Sequence, residues 1–149
     1  MKALALALLL AACAATPRTA PAPRPPSALP LAELPPQRLA KGDCALFLWE
    51  RSAAGRRVLM ATPAPPRVRV ALGGATLDLP LVRADGPTDL GFPTRATYSD
   101  GRVSVALDLA FEMRPGLVGG AVVRDGSLAL TTADGAEVVS PVAGLLGCR

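Results

Sequence analysis

The sequence predicts an all-β fold, a small antiparallel β-barrel or sandwich of about eight strands. Three observations predict it. Between residues 44 and 148, apolar and polar residues alternate with the period of two that sends successive side chains to opposite faces of a strand. No stretch there carries an apolar stripe at helical spacing. Four Asp-Gly pairs and the Gly73-Gly74 pair punctuate the alternation, and such pairs supply the positive φ angles of two-residue hairpin turns.

The N-terminal residues carry a different pattern. Lys2 precedes an unbroken apolar run, Ala3 to Leu10, which continues in small residues to Ala15. At about 1.5 Å per residue the run is too short to span roughly 30 Å of hydrocarbon. It fits the core of a secretory signal instead. Residues 1–12 are therefore expected to be a signal peptide.

From Thr16 to Pro36 lie eight of the 16 prolines and none of the 14 glycines. Proline fixes φ and donates no hydrogen bond, so the segment reads as an extended, semi-rigid spacer. Residues 13–40 are expected to form this tether and residues 41–149 the folded domain.

Three cysteines remain to be placed. Cys13 ends the apolar run. Cys44 and Cys148 sit at the two ends of the domain, an even pair that reads as a disulfide in an oxidising compartment. Such a bond would fasten the first strand to the last.

Within the domain the strands follow in order. Cys44 to Trp49 is apolar on both faces. If Cys44 points inward, Leu46 and Leu48 do too, and Phe47 and Trp49 face out, unless residues 63–66 or 84–91 cover them. Arg67 to Leu72 alternates, with Val68, Val70 and Leu72 opposite Arg67 and Arg69. Leu77, Leu79 and Leu81 form the next row, where Pro80 argues for an edge or a bulge. Val103, Val105, Leu107, Leu109 and Phe111 make the clearest strand, with Ser104, Asp108 and Glu112 on its other face. Residues 127–132 and 137–142 complete the set. Turns are expected at Gly73-Gly74, Asp85-Gly86, Asp100-Gly101, Asp125-Gly126 and Asp134-Gly135.

Composition excludes several chemistries. There is no histidine, so Ser-His-Asp and Cys-His nucleophiles and histidine-ligated zinc are absent. No GxSxG, phosphate-binding glycine loop or metal-spaced cluster occurs. No catalytic residue, metal site or cofactor is expected, and nucleic acid is not an expected partner. Asp108 and Glu112 share one strand face and are the one carboxylate pair to weigh for glycan hydrolysis. They read better as surface charge.

The net charge of +4 conceals an asymmetry. Arginines cluster between residues 51 and 69, while acidic residues dominate after residue 84. Arg56, Arg67 and Arg69 are a candidate anion-binding patch, to be weighed against pairing with Asp108 and Glu112 across strands. Phe47 and Trp49 are a candidate docking patch.

Leu10-Ala11-Ala12-Cys13 resembles the lipobox of bacterial lipoproteins, a Leu and two small residues before the Cys that is acylated and becomes the mature N-terminus. The resemblance implies lipidation of Cys13, anchoring in the cell envelope facing the periplasm and, with Ala14 following, the outer membrane. Ala12-Cys13-Ala14 also reads as an ordinary cleavage site, which would leave a soluble periplasmic protein. The domain is similar to uncharacterised lipoproteins of GC-rich proteobacteria, suggested by 14 Arg against two Lys. It resembles more weakly the β-barrel lipoproteins that inhibit lysozyme, through the lipobox, the terminal Cys pair and the segment Ala96 to Gly101.

The function these observations lead one to expect is a non-enzymatic binding or structural module in the periplasm. It would be anchored to the membrane through its lipid and would meet an envelope protein or cell-wall polymer. Inhibition of a cell-wall lytic enzyme is the alternative, followed by carboxylate-dependent glycan hydrolysis.

Overall fold

The structure, a computed structural model, describes residues 30–52 and 55–149. The expected signal peptide, Cys13 and the tether up to residue 29 lie outside the described residues.

Nine strands follow one another: β1 (Leu31–Ala32), β2 (Cys44–Glu50), β3 (Arg57–Pro63), β4 (Pro66–Leu72), β5 (Ala75–Asp89), β6 (Phe92–Ser99), β7 (Ser104–Glu112), β8 (Gly120–Thr131) and β9 (Glu137–Cys148). β2 to β9 pair in chain order, each antiparallel to the next, and β9 pairs back onto β2. The sheet closes, so the fold is an eight-stranded antiparallel barrel with β1 added beside β4. Closure leaves no long free edge for another chain to join.

Alternation sets which side chains go inside. Leu46 and Leu48 from β2, Val68 and Val70 from β4, and Leu128 and Leu130 from β8 are all buried in one core. Val103, Val105, Leu107 and Leu109 from the β7 region join them, with Phe111 packed against the cluster. Tyr98 is buried there as well, and burial pushes its phenol up to about 12. Two aromatics stand on the outer wall of β2: the Phe47 and Trp49 rings lie 6.3 Å apart.

The disulfide forms between Cys44 and Cys148, which are directly opposed across β2 and β9. It fastens the barrel at the junction of its first and last strands.

Three of the expected turns reverse the chain: Gly73-Gly74, Asp100-Gly101 and Asp134-Gly135 all fall between consecutive strands. At Asp100 the carboxylate accepts the N–H groups of Arg102 and Val103, at 2.9 and 2.8 Å, and tightens the bend.

Asp85-Gly86 and Asp125-Gly126 do not reverse the chain, contrary to expectation. Each lies inside a long strand where the register shifts. A bulge needs one extra residue and often a glycine, so the same dipeptide serves either purpose. At Gly126 a side chain would also be excluded, since a Cβ there would stand 2.7 Å from Leu109 Cδ2. The β5–β6 reversal is made instead by Leu90 and Gly91, with φ of 46° and 85°. Pro80 sits in β5 opposite Arg67, one residue before pairing with β6 begins at Leu81.

The folded unit reaches back into the proline-rich tract. Leu31 and Leu34 are fully buried. Leu31 joins the barrel core, while Leu34 packs outside the barrel on Ala45, Met60 and Ala71, with Leu39 and Phe47 alongside. Residues 31–39 thus form a strap. It starts beside Leu72, at the Glu50 end of β2, and ends where Arg149 Nη1 donates to the Leu39 carbonyl at the Cys44 end. The cover over Phe47 comes from this strap and not from residues 63–66 or 84–91. Prolines block helix and ladder formation, but they leave the leucines between them free to pack.

Candidate functional site

The outer wall carries the residues singled out by sequence, and the structure separates them into three groups. Arg56 and Arg57 hold the strap. Arg56 Nη1 donates to the Leu31 carbonyl at 2.9 Å, and its Nη2 reaches the buried Glu50 carboxylate at 2.8 Å. Ser52 Oγ donates to the same carboxylate oxygen. The Leu34 N–H donates to the Arg57 carbonyl at 2.7 Å, and Arg57 Nη2 donates to the Leu34 carbonyl at 2.9 Å. The Arg57 guanidinium lies 5.7 Å from the centre of the Phe47 ring, a cation–π distance. Sequence pointed to Arg56 as a ligand-facing residue, but its donors go to the protein's own carbonyl and carboxylate.

Arg67 and Arg69 lie together on the outer face of β4, away from Arg56. Arg67 pairs with Thr62 near the far end of β3 from Arg57. The cross-strand partner is Asp78 of β5, directly opposite Arg69, and not Asp108 or Glu112. Arg69 Nε and Nη2 donate to the two Asp78 oxygens, each at 2.7 Å, and Nη1 donates to Gln37 Oε1 at 3.1 Å. This fork holds the Asp78 carboxyl below its ordinary range and raises the Arg69 guanidinium. Arg67 Nη1 is 3.9 Å from Asp78 Oδ2, too far for a hydrogen bond.

Arg38 of the strap faces the same place. It lines a recess of about 280 Å³ with Arg67, Arg69, Asp43, Met60 and Thr62. Sequence reasoning missed Arg38 because it stands in the tract read as tether. Its only signal there was that Leu34 and Leu39, spaced around it, are apolar residues in an otherwise proline- and alanine-rich stretch.

The third group is apolar. Phe47 is paired with Leu145 across β2 and β9, Trp49 with Ala143, and Leu145 with Val122 of β8. These side chains form a band across three strands. A hollow of about 340 Å³ lies on one side of Leu145, lined by Trp49, Val122 and Ala143 with Arg51 and Arg124 at its rim. A hollow of about 380 Å³ lies on the other, between Phe47, Leu39 and Leu117. Leu145 is 51% exposed between them. The rim arginines are held by ion pairs, Arg51 with Asp125 at 3.0 Å and Arg124 with Glu112 at 3.5 Å.

Asp108 and Glu112 lie on one outer face of β7, as their spacing requires. Glu112 takes Arg114 and Arg124, and Asp108 is exposed. Among the described residues no three His, Cys, Asp or Glu side chains gather where they would hold a metal.

In comparisons with known proteins the chain matches no family model, no curated protein and no solved structure. The reading of this outer wall rests on its own chemistry.

Proposed function

We propose that the chain is an exported, lipid-anchored protein of the bacterial envelope whose barrel is a non-enzymatic binding module. The observation that carries the reading is the Cys44–Cys148 disulfide at the barrel's closing junction. Disulfides persist in oxidising compartments such as the periplasm. The third cysteine, Cys13, stands at the end of a lipobox-like Leu-Ala-Ala-Cys sequence. Two or more acyl chains on that residue would anchor the chain stably, where one alone is marginal.

The binding face is the apolar band around Trp49 and Leu145, and its partner is another protein. A half-buried aromatic pair beside an exposed leucine, with arginines at the rim, is the composition of a protein–protein contact. The barrel interior is occupied by its own core side chains, so recognition falls to the outer wall.

Mass spectrometry of the mature chain tests the anchor. The expected product starts at an acylated Cys13, and Cys13→Ser releases the protein from membranes. An unmodified mature chain starting at Ala15 would overturn it. The face is tested by cross-linking in intact envelopes. The double variant Trp49→Ala, Leu145→Asp should lose the wild-type adduct, and Val82→Asp on distant β5 should keep it. An adduct unchanged by the double variant rules this face out.

A further inference from the structure

We infer that the recess between the strap and β4 is a phosphate-binding site, gripped by Arg38 and Arg67. It is separate from the apolar band and does not depend on how the chain is anchored.

The donors of Arg69 are already used. Arg69 gives Nε and Nη2 to Asp78 and Nη1 to Gln37. It is thereby fixed as a charged wall. The Arg67 guanidinium stands at ion-pair distance from Asp78, 3.9 Å, but beyond hydrogen-bond reach, and its side chain makes no hydrogen bond among the described residues. Arg38 is exposed and pairs with no carboxylate among the described residues. Two guanidiniums therefore line one recess from different elements, the strap and β4, with their donors unspent.

Charge and shape then select the ligand. The wall carries Arg38, Arg67 and Arg69 against the lining carboxylate Asp43 and against Asp78, which Arg69 holds, so a net positive charge remains. Asp43 Oδ2 already accepts the Ala40 N–H at 3.2 Å. A carboxylate keeps its acceptor sites on two oxygens in a single plane. A tetrahedral phosphate presents oxygens in several directions and can accept from two forks that approach from separate sides. About 280 Å³ admits a phosphate with a small substituent. Thr62 on the same wall holds its hydroxyl against the Pro65 carbonyl at 3.0 Å, leaving an oxygen that can accept from such a substituent.

The phosphate has two sources, a soluble phosphate ester or a phospholipid headgroup, and one set of measurements separates them. The exported chain carrying Cys13→Ser is titrated with inorganic phosphate while the arginine Nε–H resonances are followed by NMR. Saturable shifts at Arg38 and Arg67 are expected. Arg38→Gln and Arg67→Gln should each weaken binding about five- to tenfold. Asp78→Asn should strengthen it by freeing the Arg69 fork, and Arg102→Gln, on the exposed β6–β7 turn, should leave it unchanged. Shifts that never saturate, or equal weakening by Arg102→Gln, would overturn the site. Vesicles of phosphatidylglycerol and of phosphatidylcholine form the second arm. Binding to phosphatidylglycerol that Arg38→Gln and Arg67→Gln both reduce assigns the phosphate to a lipid. Saturable phosphate binding without vesicle binding assigns it to a soluble ester.

Discussion

Two junctions of the barrel are built in opposite ways. β4 meets β5 through the two-residue turn Gly73-Gly74, and their pairing runs from Leu72↔Ala75 to Arg67↔Pro80. β2 meets β9 from the far end of the domain, with Cys44 and Cys148 separated by 104 residues. Every other junction in the ring joins consecutive strands. The β4–β5 pair needs little loop closure, because the turn holds its strands together before they pair. The β2–β9 pair must overcome the entropy of the whole domain. That junction is also where the disulfide and the tight glycine Gly144 are found, and where the strap, after crossing β4 and β3, is tied at Leu39 to Arg149. The covalent bond and the closest backbone packing of this chain thus stand at its one long-range closure.

The largest expected effect breaks that closure directly. Replacing both cysteines by alanine should cost about 4–5 kcal/mol in denaturant unfolding, the chain-entropy value for a loop of this length. A loss below about 1 kcal/mol would mean that the unfolded chain already keeps its ends together.

Packing sharpens the contrast next. A Cβ on Gly144 would meet the Phe47 carbonyl oxygen and stand 2.6 Å from Leu48 Cδ2. Gly144→Ala is expected to cost about 3 kcal/mol. Gly74 in the β4–β5 turn has a φ of 82° and open space around it, so Gly74→Ala should cost only about 1 kcal/mol of backbone strain. Equal costs in thermal unfolding would erase the distinction between the two junctions.

The strap comes third. Leu34 is fully buried against Ala45 of β2 and its neighbours. Leu34→Ala should cost about 2 kcal/mol, at the low end for a buried leucine because the wall outside the barrel can relax. It should also raise hydrogen exchange along β2 more than along β5.

The smallest effect belongs to β4–β5. Arg69 holds the Asp78 carboxyl below its ordinary value of 3.8. A depressed value in the folded state stabilises the fold fully above the ordinary value, and the gain is lost as pH falls through the folded value. Both side chains are about a third exposed, so the gain stays below about 1 kcal/mol. Wild type should therefore lose slightly more stability than Asp78→Asn between pH 4 and pH 2, by about that amount at most. Parallel acid curves would show the pair to be silent.

The sequence made much of the barrel legible where one strand face is buried and the other wet. The β7 row from Val103 to Phe111 needs only its own alternation to show which side goes in. The orientation of Phe47 and Trp49 followed from the position of Cys44 by the same period of two. What was not legible depends on distant partners. Asp125-Gly126 permits a positive φ that the structure does not use at Gly126, and only the neighbouring strands decide between a reversal and a bulge. Leu31 and Leu34 are invisible as core because the prolines around them remove all periodicity, and their contacts are with β2, β3 and β4 rather than with their own neighbours. The arginines divide for the same reason. Arg56 and Arg67 look alike in sequence, but Leu31 and Glu50 take the donors of the first, while Asp78 stays beyond hydrogen-bond reach of the second.

The placement of Cys44–Cys148 has a mechanical consequence. A pull on the N-terminal segment reaches the barrel at Leu31, where β1 holds by two residue pairs. Tension would strip the strap outward step by step toward the Cys44 end. Residues 31–43 would pay out roughly 40 Å of slack at about 3.3 Å per residue. The stripping then meets a covalent bond at the first residue of β2, opposite the last residue of β9. The barrel stays shut, and the strap yields as a shock absorber in front of it.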